Sequence, residues 1–448
     1  MRAKLHTILH SVVCLSLIGY GCECFTIGGN IKYLPSWNNN NGEQQRSLSL
    51  TATTITQLED PIRTNTVQPP PVSPATGLPN QIYVWRSHQV RYQVAHPTDT
   101  SQPSKGSVVL VHGLFVNSDH WRYTLKGLAD AGYSAYAIDL LGSGYSSKPN
   151  PNDQRSRKLV CGESNGRFPT KEDGIRKDVT LGTANGGLRN GVNVDLLHPC
   201  ESPYNFYTWS EQVADFTKEI VLKSASSTNN KVTLVGNSKG CLVALQSILD
   251  DPTLFNGAFL LNPNFRELHP AEMPFPKLMM PLLSRFQSIL RHKGQNLFEA
   301  LAKHDVVKQI LMEPYVKSDV VDDVLVDVLL SPLLTPGASD VVFDTLSYSG
   351  GPLVEQVLRD DRFPKAKNEQ VPVWVCYGKE DPWTPIPRIK RLKDIENVEK
   401  VVGIDGVGHC PHDEDPIAVN ELLSKFLFDV EARIDIKHDT VPFFLKSL

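Results

Sequence analysis

The sequence predicts an α/β protein: a doubly wound, mostly parallel sheet with helices on both faces and a helical cap inserted between late core strands. Three observations carry this expectation. Short apolar runs of strand length alternate with segments of helical spacing, the pattern that parallel pairing through crossover helices produces. The runs are apolar throughout rather than alternating, so both faces of the sheet are covered. Two long stretches, residues 147–206 and 263–365, interrupt the alternation and read as additions to a regular core.

The first segment is an address. Arg2 and Lys4 precede an apolar run from Ile8 to Tyr20, and Cys22 and Cys24 supply small residues at positions −3 and −1 of a cut before Phe25, the layout of a secretory signal peptide over residues 1–24. The run is shorter than a membrane span requires and is interrupted by His10, so an uncleaved anchor is the weaker alternative. Residues 25–80 are rich in Thr, Ser, Asn and Pro, with an Asn38–Asn41 run and Pro69–Pro71, and lack apolar periodicity, as a disordered segment does. A signal peptide followed by a Ser/Thr-rich, acid-poor stretch beginning with Phe resembles the two-part plastid leader of diatoms and related algae. Without that resemblance the reading is a secreted protein with a linker.

Folded pattern is expected over residues 81–435. Val84–Trp85 and Val90–Ala95 read as short strands and Ser107–Val111 as an apolar one. Asp119–Ala131 has helical spacing, with Trp121, Leu125 and Leu128 on one face. Tyr133–Ile138 is the next strand, Trp209–Leu222 a helix, Val232–Val235 a strand and Lys239–Leu249 a helix. Ala258–Leu261, Val373–Cys376 and Val398–Ile404 are the last strands, a helix from Pro416 to Val430 closes the core, and residues 436–448 form a tail. The 147–206 insert, full of Gly, Asn and charge, reads as a long loop. The 263–365 interval is helical in pattern and is the cap.

Composition narrows the partners. The 448 residues are 40% hydrophobic and 21% charged with a formal net charge of −4. No dense Lys/Arg run suggests a nucleic-acid groove. Three of the eight cysteines fall in the leader, and Cys161, Cys200, Cys241, Cys376 and Cys410 show no CxxC pair, which argues against zinc. Cys241 and Cys376 sit in apolar contexts as small core residues. Cys161 and Cys200 share one loop-like region, where a disulfide is an open alternative.

The chemistry centres on Gly236-Asn237-Ser238-Lys239-Gly240, which follows a strand and opens a helix. In so tight a turn the central side chain is held up from the sheet edge, and Gly236 and Gly240 avoid collisions that larger side chains would make. A serine hydroxyl needs a base, and the base an orienting acid. Both follow at the ends of the last two strands: Asp381 in a Pro-rich turn after Val373–Cys376, and His409 behind Gly408 after Val398–Ile404. Glu380 is expected to point elsewhere, and Asp405 and Asp413 lie too near His409 in sequence. Asn262-Pro263-Asn264 leaves the alternative acid position empty, and His412 is read as a surface or loop-stabilising residue. The expected oxyanion donors are the backbone N–H groups of Lys239 and Leu114, with Gly113 allowing close approach and His112 hydrogen-bonded beneath the loop.

With those residues assembled, the chain resembles the α/β-hydrolase fold enzymes over roughly residues 81–435. The matching segments are HGL at 112–114, HWR at 120–122, DLLGSGYSSKP at 139–149, GNSKG at 236–240, YGKEDPWTP at 377–385 and GHCPHDEDP at 408–416. Together they look like the plant and algal plastid branch that includes pheophytinase and chlorophyll dephytylase. The resemblance implies Ser238, Asp381 and His409 as a triad and hydrolysis of a phytyl ester of chlorophyll-type pigments, hence a plastid enzyme; the serine mechanism read from these residues needs no metal or organic cofactor. Lys239 stands where that branch usually has an apolar residue, Cys241 where a second glycine is common, and the 147–206 insert is long; these departures bear on the substrate. Met273–Leu283, leading into Phe286, Ile289 and Leu290, is apolar and adaptable enough for a lipophilic ester, or simply packs the cap onto the core. An acylglycerol lipase and a non-catalytic hydrolase-like receptor are the competing readings; a serine nucleophile argues against epoxide hydrolases and dehalogenases. Peripheral membrane contact and the oligomeric state are left open.

Overall fold

The structure is a computed structural model that describes residues 67–153, 176–196, 202–224, 230–266, 301–347, 350–364 and 370–439, with a few positions between 269 and 299. The leader, Cys161 and Cys200, most of the Met273–Leu290 stretch and the end of the tail lie outside the described residues.

Eight strands form one sheet: β1 (Gln81–Trp85), β2 (His88–Ala95), β3 (Ser107–Val111), β4 (Ser134–Ile138), β7 (Val232–Asn237), β8 (Phe255–Leu261), β9 (Val373–Gly378) and β10 (Val398–Ile404). Their order is β1-β2-β4-β3-β7-β8-β9-β10. β2 pairs antiparallel with β1 and β4, and every later pairing is parallel. All residues of β3, β4, β7 and β9 are buried, which is why their sequences are apolar without alternation.

Helices cover both faces. On one, α1 (Arg122–Asp130) and α10 (Pro416–Asp439) pack Trp121, Leu125, Leu423 and Phe426 against Val108, Leu110, Phe259 and Trp374. On the other, α2 (Phe206–Phe216), α3 (Lys239–Asp250) and α7 (Val354–Arg359) join Trp209, Leu242, Leu245 and Val357 to Val109, Leu234 and Val375. The interval 263–365 also holds α4 (His304–Met312), α5 (Asp323–Leu333) and α6 (Ala338–Ser347), where Val307, Tyr315, Leu325 and Leu329 form a separate buried cluster with Cys410. Two short helices, α8 (Ile386–Arg391) and α9 (Pro411–Glu414), follow β9 and β10.

Four expectations need correction. The 147–206 insert is not all loop: β5 (Arg176–Gly182) and β6 (Leu188–Asp195) form an antiparallel hairpin that buries Leu181 and Val194 against Leu196 and Leu353. Order begins before Gln81, because Val72 bridges Pro79 and the Ser73 hydroxyl donates to buried Asp119 at 2.6 Å. The helix expected at Trp209 begins at Phe206, where the Asn205 side chain accepts the N–H groups of Tyr207 and Thr208 as an N-cap. The last helix runs on to Asp439.

Candidate active site

The residues singled out from the sequence gather along one edge of the sheet, at the carboxyl ends of the parallel strands, where ligands bind in open α/β sheets. His112–Leu114 follow β3, Ser238 follows β7, Asn262 follows β8, Asp381 lies just beyond β9 and His409 beyond β10. Gly236 pairs with Val111, so the β7 turn sits beside the β3 loop.

Ser238 holds φ 53 and ψ −116 degrees. This is a positive-φ backbone that a non-glycine residue seldom adopts. The glycines around it are obligatory for steric reasons. A Cβ on Gly240 would lie 2.1 Å from the Val111 carbonyl oxygen, and one on Gly236 would lie 2.5 Å from the Gly240 carbonyl carbon. The β3 loop passes equally close, since a Cβ on Gly113 would lie 3.4 Å from the Ser238 Cβ. Lys239 is the first residue of α3, where helix N–H groups have no intrahelical acceptor. Leu114 and Lys239 both line a narrow cleft, partly open to solvent, that runs to Leu329 and Leu333 of α5 and Val341 of α6.

His112 does what its buried position predicts. The Leu140 N–H donates to its Nε2 at 3.1 Å. That leaves the proton on Nδ1, which is donated to the Gly113 carbonyl at 2.7 Å. Its pKa lies well below the ordinary value because burial disfavours the charged ring.

Asp381 and His409 are in direct contact, with His409 Nδ1 2.8 Å from Asp381 Oδ2. The other carboxylate oxygen accepts the N–H groups of Trp383 at 2.8 Å and Thr384 at 3.2 Å. Burial works to raise the Asp381 pKa, but the neighbouring imidazole and these hydrogen bonds hold it below the usual value. The Asp381 carboxylate therefore stays ionised and fixes the ring orientation. His409 Nε2 is buried and has no hydrogen-bond partner among the described residues. The serine loop and the histidine loop are nonetheless joined, because Asn237 Nδ2 donates to the His409 carbonyl at 3.2 Å.

The rival carboxylates are committed elsewhere. Glu380 Oε2 accepts the N–H groups of Gly406 and Val407 and so braces the loop leading to His409. Asp405 pairs with Lys379, and Asp413 with Arg122 at 2.8 Å. His412 is not on the surface: it is buried, its Nε2 is 3.3 Å from His120 Nδ1, and its ring lies 4.4 Å from that of Trp121.

Asn262 went unrecognised in the sequence. The position after β8 was left empty for want of an acid, yet Asn262 Nδ2 donates to Asp381 Oδ2 at 2.5 Å while Oδ1 accepts the Gly378 N–H. Asn262 sits at φ 48 degrees. Asn tolerates that conformation better than most residues do, and its presence there was the available signal. The His409 loop is also locked to the cap: its N–H donates to the Pro314 carbonyl at 2.8 Å, and a Cβ on Gly408 would lie 2.3 Å from that same oxygen. Among the described residues no three His, Cys, Asp or Glu side chains gather as a metal site.

Comparison with known proteins agrees with this geometry at the level of the fold. Cfl2 of Burkholderia cenocepacia superposes with a TM-score of 0.52 at 15% identity, covering 80% of this chain and 98% of its own. A membrane phospholipase A described as a bacterial virulence factor gives 0.50 at 17% identity, over 80% of this chain and 87% of its own. Chloroplastic pheophytinase of Arabidopsis thaliana is 26% identical over 353 residues, which is 77% of this chain but only 65% of that relative's length. The model of the α/β hydrolase family matches residues 108–422. The chain belongs to the α/β hydrolase family.

Proposed function

We propose that the chain is a serine hydrolase that cleaves a carboxylic ester of a lipophilic substrate. The observation that carries this is the Asp381–His409 contact at the same sheet edge as a strained serine on a strand-to-helix turn. Ser238 attacks the ester carbonyl while His409 takes its proton; the oxyanion is held by the N–H groups of Leu114 and Lys239; His409 protonates the leaving alcohol and then activates the water that releases the acid. Asp381 keeps the imidazole in one tautomer and balances its charge.

Within that reaction class, the phytyl ester of chlorophyll or pheophytin is the proposed substrate, and the plastid the proposed location. Both rest on the likeness to Arabidopsis pheophytinase and on the two-part character of the leader sequence. The test is to offer chlorophyll a, pheophytin a and long-chain acylglycerols to the full chain and to Ser238→Ala, reading free phytol and free fatty acid by chromatography. Phytol released by the parent and not the variant supports the proposal. Fatty acid alone would make the protein a lipid hydrolase, and neither product would refute both.

A further inference from the structure

The cleft that Leu114 and Lys239 line is bounded by Pro332, Leu333 and Val342 at the corner where α5 meets α6, and by Phe115 from the loop after β3. The corner itself, residues 328–339, carries no charged side chain. Among the described residues no single helix is long and apolar enough to cross a membrane, but α5 and α6 together have that length and composition, bent by 94° at the break between them. The bend rules out a straight span. Leu325, Val326, Leu329 and Leu330 are already buried, so α5 turns little more than its end outward. There Leu334 is 61% exposed, and Phe115 at the cleft is 38% exposed. Phe115 also holds φ 58 degrees, a strained backbone for an aromatic residue. Glycine would take that φ without strain, and a polar side chain would suit the exposure. The chain thus maintains an apolar surface here that neither the backbone nor the solvent asks for.

Size, charge and position together identify what covers it. A few exposed side chains fall far short of the roughly 800 Å² per partner that a stable protein interface buries, which disfavours a second copy or another folded protein. Residues 318–347 around the corner contain several Asp and no Lys or Arg, so an anionic surface would be repelled. The surface borders the cleft beside the serine turn, so a partner that sealed it would shut substrate out. A medium that dissolves lipophilic esters would instead deliver them. An uncharged lipid bilayer meets all of these conditions.

Resting on the lipophilic-ester reading above, we propose that the α5–α6 corner, with Leu334 at its tip and Phe115 at the cleft, docks the protein on the surface of an uncharged bilayer. The apolar side chains dip below the headgroups while the acids of α5 stay in water, and the ester enters the cleft from lipid rather than from solution.

The experiment follows co-sedimentation of the full chain, as parent, Leu334→Ser and Leu334→Trp, with vesicles of phosphatidylcholine alone or with phosphatidylglycerol added, at low and high salt. Equal melting temperatures report an intact fold, and because all three proteins share the leader, its own affinity for lipid does not enter the comparison. The partition coefficient on phosphatidylcholine is expected to fall about tenfold in Leu334→Ser, the worth of a leucine-sized side chain moved out of water. It should rise in Leu334→Trp and be insensitive to salt. Turnover of pheophytin carried in those vesicles should fall in step in Leu334→Ser, while that of dissolved 4-nitrophenyl butyrate should not. Partition coefficients equal in all three proteins, or binding that requires phosphatidylglycerol and is lost in salt, overturn this inference and leave the hydrolase reading standing. So does a dimer of the parent in analytical ultracentrifugation that Leu334→Ser dissociates, which would make the corner a contact between copies. Vesicle binding as expected, with no turnover of pigment, acylglycerol or 4-nitrophenyl esters, refutes the hydrolase reading while the lipid-facing corner stands.

Discussion

Asn262→Gly tests whether the acid–histidine pair depends on a third residue. The asparagine donates to Asp381 Oδ2, the same oxygen that meets His409, and its Oδ1 holds the Gly378 N–H. Glycine is the right replacement because φ is positive at this position. Alanine there would add backbone strain of roughly 1–2 kcal/mol and confuse the result. A hydrogen bond to a charged group is worth about 1.5–3 kcal/mol. In the proposed reaction only the part that grows as His409 becomes imidazolium lowers the barrier. Taking about half of the whole gives roughly 0.75–1.5 kcal/mol, a fall of about 4- to 12-fold in kcat. KM should change little, because Asn262 sits behind the acid. The assay is steady-state hydrolysis of a chromogenic ester, with the rate of fluorophosphonate labelling at Ser238 as a second reading of His409 basicity. A kcat within twofold of the parent, with labelling unchanged, would show that the two backbone N–H donors to Asp381 suffice and that Asn262 does no more than complete the end of β8.

Three further outcomes are expected. Arg122→Met removes the partner of buried Asp413 together with bonds to Asp322 and the Val320 carbonyl. The unfolding free energy should then fall by about 3–5 kcal/mol, and adding Asp413→Asn should restore part of it in calorimetry. His88 is buried with neither ring nitrogen partnered among the described residues, and burial lowers its pKa from 6.5 to about 4. The unfolded chain therefore takes up a proton first, so stability is full above the unfolded value and is lost as pH falls toward the folded one, by at most about 3 kcal/mol; in His88→Phe, urea titrations over that range should show a flatter dependence. Gly240→Ala would drive a methyl group into the Val111 carbonyl, and soluble expression should collapse; normal yield and melting temperature would contradict the packing described at the turn.

Much of the core was legible because its physics is local. Ser107–Val111 and Val373–Cys376 are apolar runs that only a strand covered on both faces explains, and their register places the serine turn and the acid turn at one edge. The hairpin in the insert was overlooked although its signals are present. Val179 and Leu181 alternate with polar residues, as do Val192 and Val194. Asn185-Gly186-Gly187 lies between the strands, and Gly186 has φ 80 degrees. Such a turn between alternating runs is a hairpin signal. The alternation is thin because the hairpin buries only a few side chains and otherwise leans on charge: Arg388 meets Glu355 at 2.6 Å, and Glu355 accepts the Gly182 N–H. Asn262 escaped for a different reason. Its value lies in a hydrogen bond to a residue 119 positions away, and no pattern of local spacing encodes that.

The segments HWR and GHCPHDE, read separately from the sequence, prove to be one object. Arg122 grips Asp413; Tyr315 donates to Asp413 Oδ2; His120 Nε2 meets the Tyr315 hydroxyl at 2.7 Å; and His412 completes the chain at His120 Nδ1. The proton bookkeeping closes in one way. Because the tyrosine donates to the carboxylate, His120 must donate through Nε2 and accept through Nδ1 from His412. Burial keeps the His120 pKa down at about 3 and that of His412 well below its ordinary value. Both rings therefore stay neutral and the chain keeps its direction. Glu414 extends the same structure to the cap by accepting the N–H groups of Gly408, Val316 and Lys317. None of these groups touches the reacting atoms. They anchor the start of α1, the loop bearing His409 and the segment after α4 to one another, so that the His409 loop cannot shift without moving the cap. In the proposed reaction this network holds the His409 imidazole in place from behind, which Ser238, Asp381 and His409 cannot do alone.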